Sequence, residues 1–122
     1  MAKKIYVVED NEKNMKLFKA VLNTIPDIEI LAETHGTRAF EKIKENCPDL
    51  IILDIQIPEM SGIDICTELR KIEKYKGTPI IAVTSFAMKG DKERIMNAGF
   101  NDNISKPINI QNFRETVQNI LS

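Results

Sequence analysis

The stretch Leu50-Ile51-Ile52-Leu53-Asp54 sets the frame for the whole chain. Four consecutive apolar residues leave no polar face. That pattern suits a strand buried on both sides, as in parallel sheets covered by helices front and back. The run then stops on a carboxylate. Pro79-Ile80-Ile81-Ala82-Val83 is a second buried run of this kind, and Ile5-Tyr6-Val7-Val8 is a short β-branched and aromatic one. Ile28-Glu29-Ile30-Leu31-Ala32 alternates as a strand would, and Phe100 to Ser105 forms a weaker one.

Between these runs the apolar period changes to that of a helix. Met15, Phe18, Leu22 and Ile25 follow it with Val21 beside them, and Pro26-Asp27 stops the segment. Thr37 offers a cap for a helix carrying Ala39, Phe40 and Ile43, which Pro48 ends. A loop with Pro58 and Gly62 leads to Ile65, Leu69 and Ile72 on the next helix. Ile95 and Met96 mark another, closed by Gly99 in the left-handed conformation. Ile110, Phe113, Val117, Ile120 and Leu121 stripe the last. Met15 and Met96 are expected in the core, and Met60 and Met88 in loops near the strand ends. Gly36, Gly77 and Gly90 fit turns. Strands alternating with helices predict an α/β domain with a parallel sheet and right-handed crossovers.

Composition narrows what such a domain does. The chain has 122 residues, 43% of them hydrophobic, enough for one domain with a continuous core. Seventeen basic residues stand against eighteen acidic ones, so neither nucleic acid nor an anionic membrane is expected as partner. No apolar run is long enough to span a bilayer. Met1-Ala2-Lys3-Lys4 leads straight into a strand with no signal-peptide region behind it. Cys47 and Cys66 match no zinc or redox spacing and read as reduced thiols of a cytoplasmic protein. His35 is the one histidine and reads as a surface loop residue, since a single ligand makes no metal site. One domain, 1–122, is expected, with no output domain after the last helix.

Polar residues collect at the strand ends. Glu9 and Asp10 end the first strand, Asp54 the third, Thr84 the fourth and Lys106 the fifth. Parallel strands bring these residues to one edge, the carboxyl edge where open α/β sheets bind ligands. Each alone has an ordinary explanation as a loop acid, a turn cap, a β-former or a surface charge; their coincidence does not. Three carboxylates there repel one another and raise one another's pKa. A divalent cation resolves the conflict, and oxygen ligands select a hard ion such as Mg²⁺. A carboxylate nucleophile, a metal, a hydroxyl and an ammonium suit phosphoryl transfer onto Asp54.

Val7-Val8-Glu9-Asp10-Asn11, Leu53 to Pro58 with Ser61-Gly62, Ala82-Val83-Thr84 and Ser105-Lys106-Pro107 resemble the response-regulator receiver family in order and spacing, from about Lys4 to Leu121. The resemblance implies a flavodoxin-like fold with strand order 2-1-3-4-5. It implies Asp54 as phosphoacceptor, with Asp10 and the Gln56 backbone carbonyl as its fellow Mg²⁺ ligands (Mn²⁺ a substitute) and Glu9 assisting through water. Thr84 and Lys106 would hold the phosphoryl group, and Pro107 would follow a cis peptide bond. The implied donor is a phosphohistidine of a sensor kinase or phosphotransfer protein. The implied output is a protein contact through the fourth helix, fifth strand and fifth helix.

Two positions depart from the family pattern. Asn103 stands where an aromatic ring is common, so the switch is expected to run through the loop after Thr84. Phe86 stands where a polar residue is common and would shield the phosphoryl group from water. Three rivals remain to be weighed. An aspartate-nucleophile phosphatase of the haloacid dehalogenase type needs a general acid where this chain has Gln56. A flavodoxin needs a phosphate cradle where Glu9 to Lys13 is acidic and lacks glycine. A phosphorylation-independent binding scaffold would not need the full acidic, hydroxyl and lysine set.

Overall fold

The computed structural model describes residues 2–85 and 89–121. The elements alternate as β1 (Lys3–Val8), α1 (Glu12–Leu22), β2 (Ile28–Glu33), α2 (Gly36–Asn46) and β3 (Leu50–Asp54). They continue as α3 (Gly62–Arg70), β4 (Ile80–Thr84), α4 (Lys89–Ala98), β5 (Asp102–Ser105) and α5 (Ile110–Leu121), with a 3₁₀ turn at Glu73–Tyr75. The strands form one parallel sheet in the order β2-β1-β3-β4-β5. The flavodoxin-like architecture expected from the sequence is the one present. The chain steps outward from β1 to β2, then returns to the other side of β1 for β3. This reversal opens a crevice between the ends of β1 and β3.

Strand alternation divides the core into two layers. Ile5, Val7, Leu50, Ile52, Ile81 and Val83 face one layer with Met15, Phe18, Phe113 and Val117 of α1 and α5. Tyr6, Val8, Ile51, Leu53, Ile80 and Ala82 face the other with Ile43, Ile65, Leu69 and Ile95. Every residue of β3 and of β4 is buried, as unbroken apolar runs require. Phe18 and Phe113 meet with ring centroids 5.0 Å apart and lock α1 to α5. Truncating either to alanine is worth roughly 3–5 kcal/mol.

Several local expectations need correction. α2 starts at Gly36 behind His35, not behind Thr37, and His35 makes no side-chain cap bond. The reason is tertiary. Gly36 N donates to Pro58 O at 3.0 Å, and a Cβ on Gly36 would stand 1.9 Å from Met60 O. Contact with the β3–α3 loop fixes where the helix begins, so Gly36 is a close-approach residue and not a turn residue. Gly90 lies inside α4. Met96 is 51% exposed, because α4 packs on the core along a narrow stripe that takes Ile95 and not its neighbour. Ile25 and Ile72 fall just beyond their helices yet pack on the core. Gly99 has φ +105°, as expected of the α4 stop. Phe86 and Met88 lie outside the described residues.

Candidate functional site

The buried polar side chains among the described residues are Glu9, Asp54 and Thr84. All three stand at the carboxyl ends of the neighbouring strands β1, β3 and β4. Register puts them there: Val8 pairs with Leu53, Asp54 with Val83, and Thr84 with Ser105, so that Lys106 emerges beside Thr84. Backbone bonds hold the loops that follow. Glu9 N donates to Glu33 O at 3.1 Å, Ile55 N to Val83 O at 3.1 Å, and Lys106 N to Thr84 O at 2.8 Å. Gly62, which opens α3, packs so close that a Cβ would meet Asp54 O at 2.5 Å.

Lys106 Nζ is the hub of the polar cluster. It donates to Asp54 Oδ2 at 2.8 Å and to Glu9 Oε2 at 3.4 Å, and lies 3.1 Å from Glu9 Oε1. Asp54 Oδ1 accepts from Gln56 N at 2.9 Å, and Glu9 Oε2 from Asn11 N at 3.1 Å. Asp10 is the exposed member. One ligand oxygen each from Glu9, Asp10 and Asp54 gather within 4.8 Å of one another. The Lys106–Pro107 peptide is cis.

The electrostatics follow from this crowding. Burial, then the facing Asp54 carboxyl, push Glu9 up to about 7. Burial pulls the Lys106 ammonium down, but the Asp54 and Glu9 carboxylates outweigh it and leave it raised. One lysine is not enough for the three acids. Glu9 Oε1, although close to Nζ, is buried without a hydrogen bond. An orphaned buried oxygen beside two further carboxylates is the donor set a hard divalent cation takes, and the residues fit Mg²⁺.

The sequence expectations for Glu9, Asp10, Asp54, Thr84 and Lys106 therefore meet in one place. Gln56 reaches the cluster by its amide, which donates to Asp54, and its side chain has a partner that sequence reasoning missed: Ser85 Oγ donates to Gln56 Oε1 at 3.0 Å. No spacing rule announces a bond between two loops. His35 stands apart from the carboxylates, its Nδ1 2.9 Å from Thr34 Oγ1. Asn103 is half-buried on β5, its neighbour across the sheet Ala82.

A parallel five-stranded sheet with an acidic, hydroxyl and lysine cluster at its reversal point defines the receiver class. The chain matches the response regulator receiver domain over residues 5–118 and belongs to that family. It is 44% identical to the polar-differentiation response regulator DivK of Brucella ovis, over 99% of this chain and 98% of that one. Among solved structures it resembles the receiver domain of the sensor histidine kinase PA1611 from Pseudomonas aeruginosa PAO1. There the identity is 29%, the TM-score 0.88 and the coverage 100% of both chains. That protein is described with a magnesium ion coordinated in its active-site cleft. The chemotaxis response regulator CheY4 of Vibrio cholerae, 24% identical over 98% of this chain and 99% of that one, shares the fold at a TM-score of 0.90.

Proposed function

We propose that this receiver domain accepts a phosphoryl group onto Asp54 from a phosphohistidine of a sensor kinase or phosphotransfer protein. The observation that carries this reading is Lys106 Nζ, 2.8 Å from Asp54 Oδ2 and 3.1 Å from Glu9 Oε1 beside the buried Thr84. A cation and two buried carboxylates meet at the strand ends, next to the strand that the buried Thr84 closes, and Asp10 of the same acidic group is exposed. In the transfer, an Asp54 carboxylate oxygen forms the new O–P bond while the N–P bond of phosphohistidine breaks. The departing electron pair stays on the imidazole nitrogen. Lys106 neutralises charge on the phosphoryl oxygens, and the Thr84 hydroxyl donates to one of them. Glu9, Asp10, Asp54 and the Gln56 carbonyl would hold Mg²⁺, which when bound supplies positive charge and oxygen-binding positions for the incoming group.

The domain then acts as a signalling phosphoacceptor that assists only its own phosphorylation and dephosphorylation. Gln56 at the position a phosphatase would give to a general acid supports that reading over turnover of external esters. Output runs by protein contact through α4, β5 and α5, or by onward phosphate relay, in the cytoplasm. No helix of the described residues is long and apolar enough to cross a membrane. The test is labelling with acetyl phosphate or a phosphorylated phosphotransfer protein in the presence of Mg²⁺. Wild type takes up acid-labile phosphate, Asp54→Asn takes up none while staying folded, and chelation of the metal suppresses uptake. Labelling of Asp54→Asn at the normal rate refutes the proposal.

A further inference from the structure

The loops that follow β3 and β4 are joined by a bond between side chains, from Ser85 Oγ to Gln56 Oε1 at 3.0 Å. Both residues are exposed, and such a bond on an open surface ordinarily adds little. Its place gives it weight. β3 pairs with β4 at a constant offset, from Ile51 with Ile80 to Asp54 with Val83. Gln56 and Ser85 keep that offset of 29 residues, so the bond carries the ladder beyond the point where Asp54 leaves it. The two ends of the bond are held differently. On the β3 side, Gln56 N donates to Asp54 Oδ1 at 2.9 Å and Gly62 N to Ile55 O at 3.3 Å, so this loop is fixed from the phosphoacceptor and from the start of α3. On the β4 side, Ser85 directly follows Thr84, whose carbonyl accepts from Lys106 N at 2.8 Å.

We propose that Ser85 is a positioning residue for phosphoryl transfer, acting through Gln56 to hold the neighbouring Thr84 hydroxyl where a phosphoryl oxygen forms on Asp54. This rests on the reading of Asp54 as phosphoacceptor. Ser85 acts at one remove from the chemistry. Its bond to a loop already fixed on Asp54 lends that loop's placement to Thr84, so nucleophile and hydroxyl are set relative to one another before the donor arrives. A hydroxyl aligned in advance costs no reorganisation in the transition state, and a small displacement of such a group loses rate steeply. Serine suits the task because its hydroxyl is a donor on a short side chain with little rotamer freedom to lose. Glutamine suits the other end because its amide oxygen accepts without carrying charge. A carboxylate there would accept from Ser85 as well, but would add a further negative charge beside Glu9, Asp10 and Asp54.

Labelling of the full chain with acetyl phosphate at saturating Mg²⁺ gives the phosphorylation rate, and NMR relaxation of the Gln56 side-chain amide gives its order in the metal-free protein. Ser85→Ala should slow phosphorylation about three- to tenfold, the scale of one hydrogen bond, and lower the order of the amide. Its Mg²⁺ affinity and its stability in urea should stay near wild type, as for an exposed position. Ser85→Thr, which keeps the hydroxyl, should restore both rate and order. Gln56→Ala should slow the reaction to a similar degree, and the double variant should be no slower than either single, because both remove the same bond. Ser85→Ala that labels as fast as wild type, or whose slow labelling comes with an equal fall in stability, overturns the proposal and leaves the phosphoacceptor reading standing. A threonine variant as slow as the alanine one, an amide equally ordered with and without Ser85, or single effects that multiply in the double variant overturn it in the same way. A wild type that takes up no phosphate overturns the phosphoacceptor reading and this proposal with it.

Discussion

Lys106 reaches two carboxylates at once, and that sharing sets the resting chemistry of the site. With 19% of its side chain exposed, the ammonium contacts Asp54 and Glu9, which are almost wholly buried. Glu9 responds by holding a proton up to about pH 7 against an ordinary 4.5. Between those two values the folded state binds this proton and the unfolded chain does not, so raising the pH across the window lowers the stability of the metal-free protein. The loss is on the order of 3 kcal/mol when complete. Glu9→Gln keeps the size and removes the titration. In chelator, urea unfolding of wild type and of Glu9→Gln should agree near pH 4.5 and separate toward pH 7 and above, with the variant the more stable. Curves that stay parallel would mean that Glu9 titrates as an ordinary carboxylate. Glu9, Asp54, Thr84 and Lys106 were legible in the sequence because each directly ends a strand, and strand ends in a parallel sheet share one edge. The Ser85–Gln56 bond was not, since it depends on how two loops lie.

Elements begin and end here where neighbouring elements allow. Thr37 has the chemistry of a cap, yet α2 starts at Gly36 because the chain must pass against Met60 of the next loop. Contact between loops overrode a local preference. The same holds after α3, where Arg70 binds backbone carbonyls of Tyr75, Thr78 and Gly99 and the Asn101 side chain, tying the helix end to β4 and β5. Tyr75, unnoticed in the sequence, is buried with its hydroxyl donating to Ile43 O at 2.6 Å, so a short 3₁₀ turn serves as a core element. Met96 failed as a core residue because α4 turns Ile95 inward, 1% exposed, and leaves Met96 on its outer side, 51% exposed. The close approach at Gly36 yields a prediction with an internal control. Gly36→Ala should cost about 1–3 kcal/mol, as crowding in a packed region does. Gly77→Ala, where an added Cβ meets nothing within 4 Å, should stay within about 0.5 kcal/mol of wild type. Equal stability of the two variants in urea unfolding would remove the packing account of the α2 start.

At the scale of the molecule, the two-layered core exists to hold three strand ends in register. The unbroken apolar runs of β3 and β4 made the sheet readable, while the strand order came from family resemblance and not from periodicity. The site, built as a cluster of mutually repelling acids, should respond as a unit to a divalent cation. Mg²⁺ at a hundredfold excess over its dissociation constant should stabilise the fold by about 2.7 kcal/mol. Asp10→Ala should lose most of that response, and a melting temperature indifferent to Mg²⁺ in wild type would count against the cation site. The central claim, that Asp54 receives the phosphoryl group, has a more direct test. Protein phosphorylated in the presence of Mg²⁺ is reduced with borohydride, which converts an aspartyl phosphate to homoserine, and its peptides are sequenced by mass spectrometry. The account predicts homoserine at position 54 alone; conversion at another acidic residue with Asp54 intact would contradict it.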